Sequence, residues 1–385
     1  MTGRAGRRAG AVTVALGAAV LLAACGSGGQ GTAGTAAPPA QVSVPMATSV
    51  GGSGGTAYAV VDMGGSAADH ENFWQLFARA AGSAAWRLAT PAGVASNGGV
   101  VAAVTGASSV AAGFRPSQDL TFSPVATSTD SGGSWSAGSP VMFGLASDPD
   151  ALAAGPAGRL IALTSNGTVA VQSQSQAAWT TLATERQIAA SPAGRTCGLT
   201  RLTAVAFTAQ GTPMVAGACD RTSAPGIFAK AAGSWSLTGP ALPSPARSAV
   251  LAMATAGSVT TAIIRTGTGA SARLVAAWRG AAGPWTSSAA LPVSSGSVLS
   301  ASIWPSGAAG LVLSGSRAAV LSGTGASWQE LTGLPAGTVT LAPEPHGQAE
   351  ALTARGSSFR AWTLNSGSWQ VVQTVSVQIP YGSSG

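Results

Sequence analysis

Chemistry in this 385-residue chain could be built from Cys197 and Cys219, His70 and His346, Tyr58 and Tyr381, and twelve carboxylates. Glycosidic hydrolysis of the common kind needs two facing carboxylates. Five Glu and seven Asp are scattered so evenly that no pair is singled out. Asp69-His70-Glu71-Asn72 offers ligand-type side chains, but His346 lies far along the chain and no second cluster completes a coordination sphere. No metal and no cofactor is therefore expected. A serine nucleophile elbow and a phosphate-cradling glycine loop in its usual context are both missing from the sequence. The excess of 19 basic over 12 acidic residues gives +7. No Lys/Arg cluster is interleaved with aromatics, so nucleic acid is not an expected partner.

The first residues address the chain rather than fold it. Arg4, Arg7 and Arg8 precede "AVTVALGAAVLLAA", which is too short for a comfortable membrane span. Leu22-Ala23-Ala24-Cys25 follows and resembles a bacterial lipobox. An ordinary secretory signal with an incidental Cys is the competing reading. The resemblance implies that residues 1–24 are a signal peptide and that Cys25 is acylated and becomes the first residue of the mature chain. The protein would then sit on the outer face of the cytoplasmic membrane, and the chain is similar in type to lipoproteins of high-GC actinobacteria. Two or three acyl chains anchor stably, since each buried CH₂ contributes roughly 0.8 kcal/mol. Loss of three arginines with the signal leaves about +4, too little to argue a strong electrostatic partner. Residues 25–55 comprise Cys25 and a Gly-, Ser-, Ala- and Pro-rich stretch that reads as a flexible tether. In an exported chain Cys197 and Cys219 read as a disulfide. Its loop of about 22 residues contributes on the order of 3 kcal/mol.

The elements that carry these residues are short strands. Only 8% of residues are charged, and 53 Gly and 22 Pro punctuate Ala-, Val-, Thr- and Ser-rich runs. That pattern disfavours long helices and fits strands joined by tight turns. A small-residue turn followed by Trp recurs at Trp86, Trp135, Trp179, Trp235, Trp285, Trp328 and Trp369. The intervals run from 41 to 56 residues, close to the period of a propeller blade. Within a unit, "DALAAGPAG", "RLIALTSNG", "TVAVQSQSQA" and "WTTLAT" read as four strands with turns between them. "AVLAMATAGSVTTAII" reads as a hairpin divided at Gly257 and Ser258. The fold expected for residues 56–385 is an all-β, seven-bladed β-propeller of four-stranded blades. A β-sandwich, two smaller β domains, or a ring of six or eight blades are the alternatives. Residues after Trp369 are too many for one outer strand, and the first unit looks a strand short. Ser376–Pro380 is the expected donor that closes the ring, with "QVSVPM" near residue 41 as its competitor.

Ser128, Asp130, Gly132 and Trp135 follow the pattern Ser-x-Asp-x-Gly-x-x-Trp and resemble the Asp-box, or bacterial neuraminidase repeat. The Asp carboxylate accepts from turn amides and Gly tolerates positive φ. The resemblance implies a sialidase-like propeller. Sialidases use three arginines, a Tyr nucleophile backed by Glu, and an Asp acid/base. Here "GFRPSQD" around Arg115 matches that family's Arg motif only faintly, and only Tyr58 and Tyr381 are available. The catalytic set is therefore empty, and a sialidase-like or other glycan-processing hydrolase is the alternative to a non-catalytic binding or scaffolding protein. An assembly factor for a membrane complex is a third reading. Charge collects where the second and third strands of the blades join: Asp69, His70, Glu71, Arg115, Asp119, Asp220, Arg221, Arg265, Arg317 and Arg355. These form the candidate face for an unidentified protein or glycan, although solvated loops explain the same pattern. Mass spectrometry of the mature N-terminus should find acyl-modified Cys25. A start at an unmodified residue between about 30 and 45 would remove the anchor.

Overall fold

Runs of small apolar and β-branched residues, cut by glycine turns, fold into successive up-and-down antiparallel meanders. The computed structural model describes residues 46–378 except 53, 66–70, 92–95, 97, 115–123, 137–144, 146, 173–177, 222–223, 243–246, 294–296, 326 and 345–348. All of them belong to one compact unit, Val44–Gly385. The first meander is β1 (Thr48–Gly51), β2 (Ala57–Gly64), β3 (Asn72–Arg79) and β4 (Trp86–Leu88). Next come β5 (Val100–Val104), β6 (Val110–Phe114) and β7 (Val125–Ser128), with Ser136 bridging back to Thr127. Then follow β8 (Pro149–Ala154), β9 (Leu160–Thr164), β10 (Thr168–Gln172) and β11 (Trp179–Thr184). Two short helices, α1 (Glu185–Ala190) and α2 (Pro192–Cys197), lead into β12 (Leu199–Phe207), β13 (Pro213–Cys219), β14 (Gly226–Ala231) and β15 (Ser234–Leu237). The next meander is β16 (Ser248–Ala256), β17 (Val259–Thr266) and β18 (Arg273–Arg279), against which β19 (Thr286–Ser287) and β20 (Leu291–Pro292) both pair. The last two are β21 (Val298–Ile303) to β22 (Ala309–Leu313), β23 (Arg317–Leu321) and β24 (Gln329–Leu331), and β25 (Thr338–Pro343) to β26 (Ala349–Arg355), β27 (Ser358–Asn365) and β28 (Ser368–Ser376).

The expected hairpin at Gly257 is present: β16 and β17 pair from Ser248↔Thr266 to Ala256↔Val259. Gly257 sits at φ 60°, a conformation that Gly adopts without steric penalty. Each recurrent Trp falls at or beside the start of its meander's outer strand, as the spacing predicts. The opening strands contact one another in cyclic order, β1 to β5, β8, β12, β16, β21 and β25, and β25 returns to β1. Apolar clusters fill the spaces between neighbouring meanders, for example Tyr58, Leu76, Val110 and Phe114 between the first two. Where β1, β21 and β25 converge, the interior is hydroxylic. The Ser49 amide donates to Ser302 Oγ, the Ser49 hydroxyl donates to the Leu341 carbonyl, and Trp304 Nε1 donates to Ser49 Oγ. Buried hydroxyls are tolerated there because each finds a partner.

Cys197 and Cys219 form a disulfide with Cα atoms 5.4 Å apart. Cys197 closes α2, Cys219 closes β13, and Leu199 pairs directly with Cys219. The helices themselves are absent from the strand-only expectation. Their signal was in the sequence: Thr184 and Gln187 form a reciprocal capping box, and Ser191 caps α2 with Pro192 in its first turn.

Two expectations about the chain ends need correction. The tether does not extend to residue 55, because Thr48–Gly51 pair antiparallel with β2, from Thr48↔Val60 to Gly51↔Ala57. This strand, just downstream of "QVSVPM", supplies the missing strand of the first meander. Ser376 does not cross to that meander. All of β28 stays on β27, its nine residues fitted to eight by a bulge at Ala361/Trp362. Tyr381 and the rest of the tail from residue 379 lie outside the described residues, as does Cys25. Deleting residues 46–51 should lower the melting temperature sharply, while deleting 379–385 should leave it nearly unchanged. Circular-dichroism melts of the two truncations decide the point, and the reverse ranking would restore the tail as donor.

Candidate functional site

The buried charge lies where the first and last meanders meet. Arg79, at the end of β3, reaches Glu350 at 2.5 Å, with side chains only 1% and 5% exposed. It also donates to the Pro343 carbonyl. Trp86 Nε1 donates to the same Glu350 oxygen at 2.9 Å, and the Arg79 guanidinium lies 5.0 Å over the Trp86 ring. Beside them Phe77 stacks on Phe359, ring centroids 3.9 Å apart. The Gln373 amide clamps the Trp86 backbone from the other side, accepting from its N–H at 2.6 Å and donating to its carbonyl at 2.8 Å. Burial pushes the Glu350 carboxyl above the usual range, and the Arg79 charge only partly opposes that shift. Sequence reading missed this cluster. Its faint signal was a charge at the rim of each of two apolar strands, Arg79 closing "NFWQLFAR" and Glu350 near the start of "AEALTAR".

Around Asp130 the geometry is that of a turn. The Ser134 amide and hydroxyl donate to the Asp130 carboxylate at 2.8 and 2.7 Å, and the Ser128 hydroxyl donates at 2.8 Å. Those donors, the Ser134 amide foremost, hold the carboxyl well below its usual range. The Gly132 amide donates to Ser128 Oγ at 2.8 Å with Gly132 at φ 82°, and a Cβ there would come within 2.8 Å of Ala89. Trp135 Nε1 donates to the Ala89 carbonyl at 2.9 Å, and Arg87 donates to the carbonyls of Ser131 and Gly132 at 2.7 and 3.1 Å. Ser128, Asp130, Gly132 and Trp135 thus join the first two meanders. Tyr58 is wholly buried in the core between them, its hydroxyl pushed up by burial. A buried phenol cannot meet a sugar.

The candidate face is partly visible. Asp69, His70, Arg115 and Asp119 lie outside the described residues, as does His346. Glu71 precedes β3, Asp220 and Arg221 follow β13, Arg265 and Arg355 close β17 and β26, and Arg317 opens β23. Each therefore stands at the junction of its meander's second and third strands, and each is exposed. These junctions share one end of the strand array. The amide of Gly64, the last residue of β2, donates to the Gly356 carbonyl after β26 at 2.9 Å. Asp220 pairs at 3.5 Å with Arg247, which leads into β16 at the same end. Arg317 pairs with Glu330 at 3.2 Å. Both pairs are exposed and worth on the order of 0–1 kcal/mol. Among the described residues no group of three or more His, Cys, Asp or Glu gathers to hold a metal. A cleft of about 80 Å³ beside Asn166 and Trp179 is far below the few hundred Å³ of an ordinary ligand site.

The meanders and their cyclic contacts define a β-propeller protein. Solved propeller structures carry that conclusion. The chain is similar to a GH74 xyloglucanase from Xanthomonas campestris, at 16% identity and TM-score 0.53 over 82% of this chain. It spans about half of that enzyme, 51%. It is also similar to a protein described as a 6-phosphogluconolactonase from Bacteroides fragilis, at 13% identity and TM-score 0.50, covering 88% of this chain and 97% of that one. YCF48 from Cyanidioschyzon merolae matches at 13% identity and TM-score 0.44, over 83% and 92%. No family model matches the chain. No curated protein matches it either. At these identities the likeness is one of fold.

Replacing Arg79 by Met leaves the Glu350 carboxylate buried without its cation and should cost about 3–5 kcal/mol at neutral pH. A carboxyl raised in the folded state binds protons more readily there than in the unfolded chain, so stability falls as pH rises through the shifted range. Urea titrations should show the R79M deficit shrinking toward acid pH, where Glu350 is protonated. A deficit that is the same at every pH would show that Glu350 carries no charge in the parent protein.

Proposed function

We propose that the chain is a lipid-anchored, extracytoplasmic binding module built on a seven-bladed propeller. The opening strands from β1 to β25 line its axis, and the blades are four-stranded. The turn from Ser128 to Trp135 acts in it as an Asp-box, a structural joint. The observation that carries a binding role is the convergence of exposed charge at the junctions of second and third strands, in a chain otherwise poor in charge. Several of the carboxylates that hydrolysis would need have structural work instead. Glu350 holds Arg79, Asp130 holds its turn, Glu185 accepts from the Leu202 amide, and Glu344 accepts from Thr363. The xyloglucan-cleaving activity named for the Xanthomonas relative belongs to an enzyme of which this chain spans about half, so it favours the hydrolase reading only at the level of fold.

The unlipidated chain 26–385 should bind isolated cell-envelope fractions saturably. Hydrogen exchange should then slow at the connections near Glu71, Arg221, Arg265, Arg317 and Arg355. Absence of binding, or protection confined to the opposite end near Gly132 and Gly211, would overturn the reading. Turnover of a fluorogenic glycoside by the same preparation would favour the hydrolase.

A further inference from the structure

The charge on the candidate face is not evenly shared. Residues 247–365 contain Arg247, Arg265, Arg273, Arg279, Arg317, Arg355 and Arg360 but only Glu330, Glu344 and Glu350 as acids. Glu350 is buried on Arg79 and Glu344 follows β25 at the opposite end, so within this segment Glu330, on Arg317, is the acid that faces these arginines, while Asp220 of the preceding meander pairs with Arg247. Arg279 closes β18 at the opposite end. Arg265, Arg317, Arg355 and Arg360 are exposed, and Arg273, half-buried, opens β18 next to Arg265. The side chains of Arg265, Arg355 and Arg360 have no hydrogen bond or ion pair among the described residues, although their backbones pair in the sheets. The array therefore spreads unneutralised guanidinium groups across three consecutive meanders. A guanidinium fork suits phosphate oxygens and keeps its charge at any physiological pH.

The direction of β1 adds an independent constraint. Gly51 and Ala57 flank the β1–β2 turn, so Thr48, paired with Val60, lies on the other side of it. The chain upstream of β1 therefore leaves toward the end that carries the second-to-third strand junctions, the arginine end. Twenty-two residues separate Cys25 from Thr48. An acyl group on Cys25 would thus hold this end of the propeller, not the opposite one, nearest the bilayer.

We infer that Arg265, Arg273, Arg317, Arg355 and Arg360 form a docking surface for anionic phospholipid headgroups. The surface lays the tethered end of the propeller on the membrane. This rests on the reading of that end as a recognition face and names its partner. Basic residues near an anionic surface gain binding energy that falls off within a Debye length, so the contact is salt-sensitive.

Co-sedimentation tests it with the unlipidated chain 26–385, which keeps the whole compact unit. Vesicles of phosphatidylcholine alone are compared with vesicles containing about one-third phosphatidylglycerol. Binding is expected only to the anionic vesicles and should weaken as salt rises. The triple substitution R265Q/R355Q/R360Q should weaken it by about fivefold per arginine. The opposite-end pair R159Q/R279Q should leave it within about twofold. Failure to bind anionic vesicles, or an equal loss from the opposite-end pair, overturns the inference. If envelope fractions bind through the same face while pure lipid does not, the recognition reading stands and the partner is a protein or glycan.

Discussion

The fold depends on an ion pair whose two halves are 271 residues apart in sequence. Arg79 and Glu350 meet at the seam between the first and last meanders, where no chain connection holds the strands together. An open array would end in two exposed sheet faces, each a template for unwanted association. The seam is sealed by apolar contact, including Phe77 on Phe359 and a cluster of Ala57, Val61, Leu352 and Ala361. The buried pair adds little net stability over an apolar substitute. Its geometric demand is what matters. Neither charge can be buried unless the other arrives, so a register error at the seam is heavily penalised.

The same position explains why Trp recurs. Trp135, Trp285 and Trp369 each donate their indole N–H to a carbonyl of the preceding meander: Ala89, Thr238 and Thr332. Each acceptor lies just past that meander's outer strand. Trp86 has no preceding meander along the chain, and its indole turns to Glu350 of the last one instead. The indole supplies a large apolar face to pack and one donor to place, which fixes neighbouring sheets in both distance and register. In a chain with few charges, this repeated donor does work that ion pairs do elsewhere.

What the sequence displayed was local. The hairpin at Gly257, the strand order within "DALAAGPAG" to "WTTLAT", the outer-strand Trp residues and the Cys197–Cys219 bridge all follow from neighbours within about 50 residues. What it hid was long-range or contrary to a dominant pattern. β1 is only four residues in a region whose composition reads as tether, and it is held by Ser302 and Leu341, some 250 to 290 residues away. The helices α1 and α2 had clear caps, but the strand period masked them. Arg79 and Glu350 looked like ordinary strand-end charges, because no local feature announces a partner that far off. Of the candidate face, the described arginines fell at the junctions that the blade pattern named. Their crowding into residues 247–365 emerged only once the strands set which end each one occupied.

The seam also fixes an order of events. A chain delivered from its N-terminus presents Arg79 long before Glu350 exists beside it. Until then the guanidinium remains in water, where being alone costs nothing, and the inner face of the first meander lacks its neighbour. Loop closure over some 270 residues is entropically costly, and the other contacts of the seam close loops as long. It can form only after every intervening meander is in place. The first sheet is therefore among the last to become fully buried. During synthesis the half-built ring exposes Ala57, Val61 and Phe77, and that interval is when the chain most needs protection from its own copies.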